Sequence, residues 1–127
     1  MTDRPVRLDR LALALTSFIE LNYAYLPSGG SLFDPEREEP REEAVDSFRT
    51  WLDDAEDDDV AEVLRALAWV LNLPPARFAE TAARLHVPFP RFDAPEVRRF
   101  LELLWTRTAP GDWRIAGFQP DSYELTW

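Results

Sequence analysis

The chain has no cysteine and no lysine, and only one histidine and one methionine. Without cysteine it can form neither a disulfide framework nor a thiolate metal site, and a reducing compartment suits it. All fourteen basic residues are arginine, a bias that fits the codon usage of a GC-rich genome. Guanidinium groups pair with carboxylates in a planar, two-pronged fashion, so internal Arg–Asp and Arg–Glu pairs are expected. His86 is the only imidazole, so a Ser-His-Asp or Cys-His constellation would have to use it. It follows Leu85 at the end of a helical segment, where a cationic ring favours the terminal carbonyls, and a structural role is expected. No apolar run approaches the roughly 18 residues of a membrane-spanning helix. Met1 to Arg10 is mixed in charge and is followed by Glu20 where a signal peptide would place small residues, so no secretory signal and a cytoplasmic location are expected.

What is present is a folding composition with a misplaced charge. The 127 residues are 46% hydrophobic and 13% aromatic, enough for one domain with its own core. The net charge is -10, and it is local. Between Asp34 and Glu62 there are fourteen acidic residues against Arg37, Arg41 and Arg49, a net of -11, while the remainder comes to +1. A block of like charge repels itself in the folded state, and its usual use is to steer and hold a basic partner.

Periodicity predicts a mainly α fold, a bundle of about five helices with a short C-terminal β-strand or hairpin, with the helical core over 8–108 and an aromatic extension over 109–127. Leu8, Leu11, Leu15, Phe18, Ile19 and Tyr25 make one stripe of a first helix over Leu8 to Leu26. Pro27 to Pro40, with Gly29 and Gly30, reads as a returning loop. A second helix from Arg41 to about Asp54 carries Ala44, Val45, Phe48, Trp51 and Leu52, with Glu42 and Glu43 in its first turn. The acidic run then interrupts it, and its last Asp residues are suited to cap a third helix with Val60, Val63, Leu64, Leu67, Val70 and Leu71 as its core face. Pro74 or Pro75 starts a fourth helix with Phe78, Ala82 and Leu85. Asp93 and Glu96 form a capping box for a fifth, which buries Val97, Phe100, Leu101 and Leu104. Beyond the Pro110-Gly111-Asp112 turn, Tyr123, Leu125 and Trp127 alternate with polar residues as in a strand, and Trp113, Ile115 and Phe118 could supply its partner.

Other chemistries find little support. The acidic run lacks the alternating ligands and central glycine of a calcium loop, so no metal is expected. Carboxylates are abundant, but no pair is singled out for hydrolysis, and neither a catalytic residue nor a cofactor is expected. Arg77 to Pro88 resembles the first half of a helix-turn-helix. Pro88-Phe89-Pro90 stands where the recognition helix would begin, and the domain is acidic, so nucleic acid is not an expected partner. The five tryptophans are core candidates. Trp69 falls off the main stripe of its helix and, like Tyr23 and Tyr25, is a candidate aromatic anchor of an interface.

The order of features from Leu11 to Arg107 resembles the immunity proteins of bacterial contact-dependent growth inhibition systems. The resemblance rests on an aromatic end to the first helix (Phe18 to Tyr25), an acidic loop, and Glu43-Ala44-Val45-Asp46-Ser47-Phe48. A leucine-rich helix, the segment Ala83 to Pro90 and the closing Val97 to Leu104 complete it; the segment beyond Ala109 lies outside. It implies stoichiometric neutralisation of a cognate toxin, commonly a nuclease, whose phosphate-attracting cleft an acidic patch would occupy. The expected partner is thus a basic protein. The expected contact residues are Asp53, Asp54, Glu56, Asp57, Asp58 and Asp59, helped by Glu38, Glu39, Glu42 and Glu43, with Tyr23 and Tyr25 as aromatic anchors. The alternative is a small accessory subunit that docks on a larger enzyme through the same acidic surface.

Overall fold

A computed structural model describes residues 5–25, 39–85, 94–109 and 111–127, the side chains of 17–25 and 39–41 excepted. His86, Glu38 and the Asp93 half of the expected capping box lie outside the described residues. The elements run in the order β1 (Val6–Arg7), α1 (Leu8–Tyr25), α2 (Glu39–Asp54), α3 (Asp57–Leu71), α4 (Pro75–Arg84), α5 (Ala94–Thr108), a single 3-10 turn (Pro120–Ser122) and β2 (Leu125–Thr126). Among the described residues the fold is mainly α, with five helices and one small sheet.

Each helix buries the face that its apolar spacing marks. In α1 Leu8, Leu11 and Leu15 are fully buried with Ala14, while Leu13, on the other side, is exposed. In α2 the buried residues are Ala44, Val45 and Phe48. The helix begins two residues before the expected start, because Pro40 sits in the first turn, where a missing N–H breaks no bond. Pro75 opens α4 in the same way, after Pro74 in an extended conformation. This helix buries Phe78, Thr81 and Ala82, while α5 buries Val97, Phe100, Leu101 and Leu104.

Helix α3 is the centre of the molecule, packing against α1, α4, α5 and β1. From Ala66 to Leu71 every residue is buried, Trp69 included at 1% exposure. The expectation that Trp69 could anchor an interface is therefore corrected. A helix enclosed by several neighbours has no solvent stripe in its second half, so the off-stripe position is core as well. Val60 and Leu64, expected in the core, are only partly buried near its open first half. The end of α3 is closed by Arg98 from α5, whose guanidinium donates to the carbonyls of Leu73 at 2.8 Å and Leu71 at 2.6 Å. Cationic donors at a helix C-terminus satisfy orphan carbonyls and complement the dipole.

The strand is present, but its partner is not the segment from Trp113 to Phe118. β2 pairs in parallel with β1, Val6 opposite Leu125 and Arg7 opposite Thr126, and the N–H of Val6 donates to the carbonyl of Glu124 at 2.7 Å. Val6 is fully buried. The two ends of the described chain thus meet over the bundle, since an isolated hairpin has too little apolar area to hold itself. Gly117 takes a positive φ of 66° in the turn between Ile115 and Phe118, a conformation open to glycine without strain.

Candidate functional site

The acidic run folds into the end of α2, a two-residue link and the start of α3. Ala55 N–H donates back to the carbonyl of Trp51 at 3.0 Å and closes α2. Glu56 is the N-cap of α3 in an extended conformation, and its side chain makes no capping hydrogen bond. Asp57, Asp58 and Asp59 fall inside the first turn instead of capping it. This corrects the expected Asp cap: in the first turn a carboxylate is stabilised by the helix dipole without a direct bond to a backbone N–H.

The two halves of the run stand in opposite fields. Asp57 to Asp59 sit at the positive end of α3. Asp53 and Asp54 end α2, whose last turn has no basic residue. There the carbonyls already present partial negative charge, and each carboxylate adds to it. Upstream, Glu43, Asp46 and Thr50 are exposed at helical spacing with Asp53 and Asp54, opposite the buried Ala44, Val45 and Phe48. The solvent face of α2 is therefore an acidic stripe that runs into the α2–α3 corner.

Two of the expected contact residues, Glu42 and Asp59, are engaged within the fold, as are the neighbouring Glu62 and Asp46. Glu42 accepts two hydrogen bonds from Arg107 of α5, at 2.8 and 3.0 Å. Asp59 lies 3.7 Å from Arg10, and Glu62 lies 3.8 Å from both Arg7 and Arg10. Asp46 lies 3.3 Å from Arg49. Among the described residues, no basic side chain pairs with Glu43, Asp53, Asp54, Glu56, Asp57 or Asp58, all of them exposed. Asp46 was missed in the sequence, although its three- and seven-residue spacing to Glu43 and Asp53 places it on the same face. Glu39 opens α2, with its side chain outside the described set.

Contacts of Arg7 with Glu62 and of Arg10 with Asp59 and Glu62 join β1 and the start of α1 to the first half of α3. Tyr23 and Tyr25 are in the last turn of α1, and their side chains lie outside the described set. Among the described residues no three acidic or histidine side chains converge as a metal cage would require. The carboxylates are spread along a face, an arrangement that sets up an extended negative potential. No described helix is long and apolar enough to cross a membrane. The chain matches no protein-family model, no curated protein and no solved structure.

Proposed function

We propose that the chain is an immunity-type binding protein, which neutralises a cognate toxin by presenting the acidic face of α2 and the α2–α3 corner to a basic surface of that toxin. One observation carries the reading: Asp53, Asp54 and Glu56 are exposed and have no ion-pair partner among the described residues, and Asp53 and Asp54 crowd at the negative end of α2. A carboxylate in that position costs about 0.3–1 kcal/mol at low ionic strength. Nothing described in the fold offsets this, and a cationic partner would. Stability is then given up for recognition, as at other binding surfaces.

The toxin as partner follows from the likeness of the segments between Leu11 and Arg107 to growth-inhibition immunity proteins. A nuclease is the favoured class, because a cleft that attracts phosphate also attracts a row of carboxylates. The chain acts by binding, without catalysis, in the cytoplasm where such a toxin would arrive. The test is affinity capture from the native host with the wild-type chain and with a D53N/D54N/E56Q variant, followed by mass spectrometry. The reading expects a basic toxin domain, encoded beside this gene, that is retained by the wild type and depleted with the variant. Capture of a metabolic enzyme would favour docking as an accessory subunit instead, and equal recovery by both chains would remove the acidic face from the account.

A further inference from the structure

Residues 111–127 lie over the helices as an irregular segment, held at separate points. Asn72, at the end of α3, grips it with both ends of its amide: Nδ2 donates to the carbonyl of Trp113 at 2.7 Å, and Oδ1 accepts from the N–H of Ile115 at 3.0 Å. Farther on, Arg77 of α4 donates to Asp121 at 2.8 Å. β2 pairs with β1, and the Arg84 guanidinium stacks on the Trp127 ring, 3.8 Å from its centre. Yet no side chain of the segment is fully buried, and the Arg77–Asp121 pair is open to water.

Beneath it lies Trp69, whose ring meets Phe118 edge to face with centroids 6.4 Å apart. Its indole Nε1 is buried and has no hydrogen-bond acceptor among the described residues. A buried donor without a partner opposes the closed state, because water would satisfy it in an open one. The segment's own contacts are the half-exposed, few-bonded kind that open first in native proteins.

We propose that residues 111–127 form a latch that opens as one unit while the helices stay folded, with the unsatisfied Trp69 indole as the element that keeps it close to opening. The latch closes through Asn72 and the β1–β2 pair, and opening uncovers the Trp69 face of α3 and α4. This device is independent of the acidic face and stands whether or not that face binds a toxin.

Native-state hydrogen exchange of the full chain tests it. The amides of Ile115 and Val6, bonded to Asn72 and to the carbonyl of Glu124, should exchange together and at least about tenfold faster than those of Leu67 and Val70 in α3. Trp69→Phe keeps a ring and removes the orphan donor. Relative to Leu67 and Val70, it should slow latch exchange about fivefold or more, and Asn72→Ala should speed it by a similar factor. Arg77→Ala, which leaves the core untouched, should speed latch exchange without changing α3. The proposal is overturned if latch and α3 amides exchange in step, or if Trp69→Phe leaves relative latch exchange unchanged or faster.

Discussion

Arg107 holds Glu42 by a two-pronged pair, 2.8 and 3.0 Å, that ties the start of α2 to the end of α5. The same α5 terminus receives Arg49, which donates to the carbonyl of Arg107 at 3.2 Å. Glu42 is therefore a structural carboxylate within an acidic surface. Glu42→Gln should lower stability by about 0.2–1 kcal/mol, the range for an exposed pair, and leave partner association unchanged. Urea denaturation together with capture yield checks both halves.

The dipoles of α2 and α3 give neighbouring carboxylates effects of opposite sign. Asp57→Asn removes a favourable charge from the first turn of α3 and should destabilise by about 0.3–1 kcal/mol, while Asp53→Asn relieves the end of α2 and should stabilise by a similar amount. Both shifts should shrink in high salt. Denaturation midpoints of the two variants at low and high ionic strength decide it; shifts of the same sign would contradict the assignment of the two halves.

Arg98 bridges α5 to the carbonyls of Leu71, the last residue of α3, and of Leu73 just beyond it, with its guanidinium also 5.3 Å from the centre of the Phe78 ring. Arg98→Ala leaves two carbonyls without their donor and should cost about 2–4 kcal/mol. Arg98→Lys should recover only part of this, since one ammonium cannot reproduce the planar fork. Thermal unfolding of the two variants gives the comparison.

Acid sensitivity should show at the junction of β1 and α1. Arg7 donates to both oxygens of Asp9 at 2.9 and 2.7 Å. These bonds hold the Asp9 carboxyl below the usual carboxylate range; the Arg10 N–H and Coulomb attraction to Arg7 assist, and partial burial opposes. A carboxyl depressed in the folded state adds stability in full above its unfolded value, about 3.9, and loses it as pH falls through the folded one. Asp9→Asn should accordingly be less stable than wild type at pH 7, with the gap closing below about pH 4. A gap independent of pH would contradict the pairing.

Much of the fold is written in local signals. Pro40 and Pro75 mark helix starts, and the spacing of Val97, Phe100, Leu101 and Leu104 marks a buried face before any neighbour is known. What the chain conceals depends on residues far apart. Val6 and Arg7 are too few to show a period, so their union with Leu125 and Thr126 had no trace in the sequence. Trp69 stood off its stripe because periodicity assumes one solvent face, and the second half of α3 has none. At the acidic site the composition was plain, but the division of labour was not. Glu42 and Asp59 are paired within the fold with Arg107 and Arg10, partners 65 and 49 positions away. Only the folded chain distinguishes them from Asp53 and Asp54.

The account turns on Asp53, Asp54 and Glu56 being carboxylates kept for a cationic protein. The most direct measurement is the association rate with the basic protein captured from the host, followed by stopped flow at low and high salt for wild type and D53N/D54N/E56Q. The account predicts a rate at least about tenfold slower in the variant at low salt, with most of the salt dependence gone, and a free variant no less stable than wild type. Equal rates with equal salt dependence, or the capture of no basic protein at all, would contradict it.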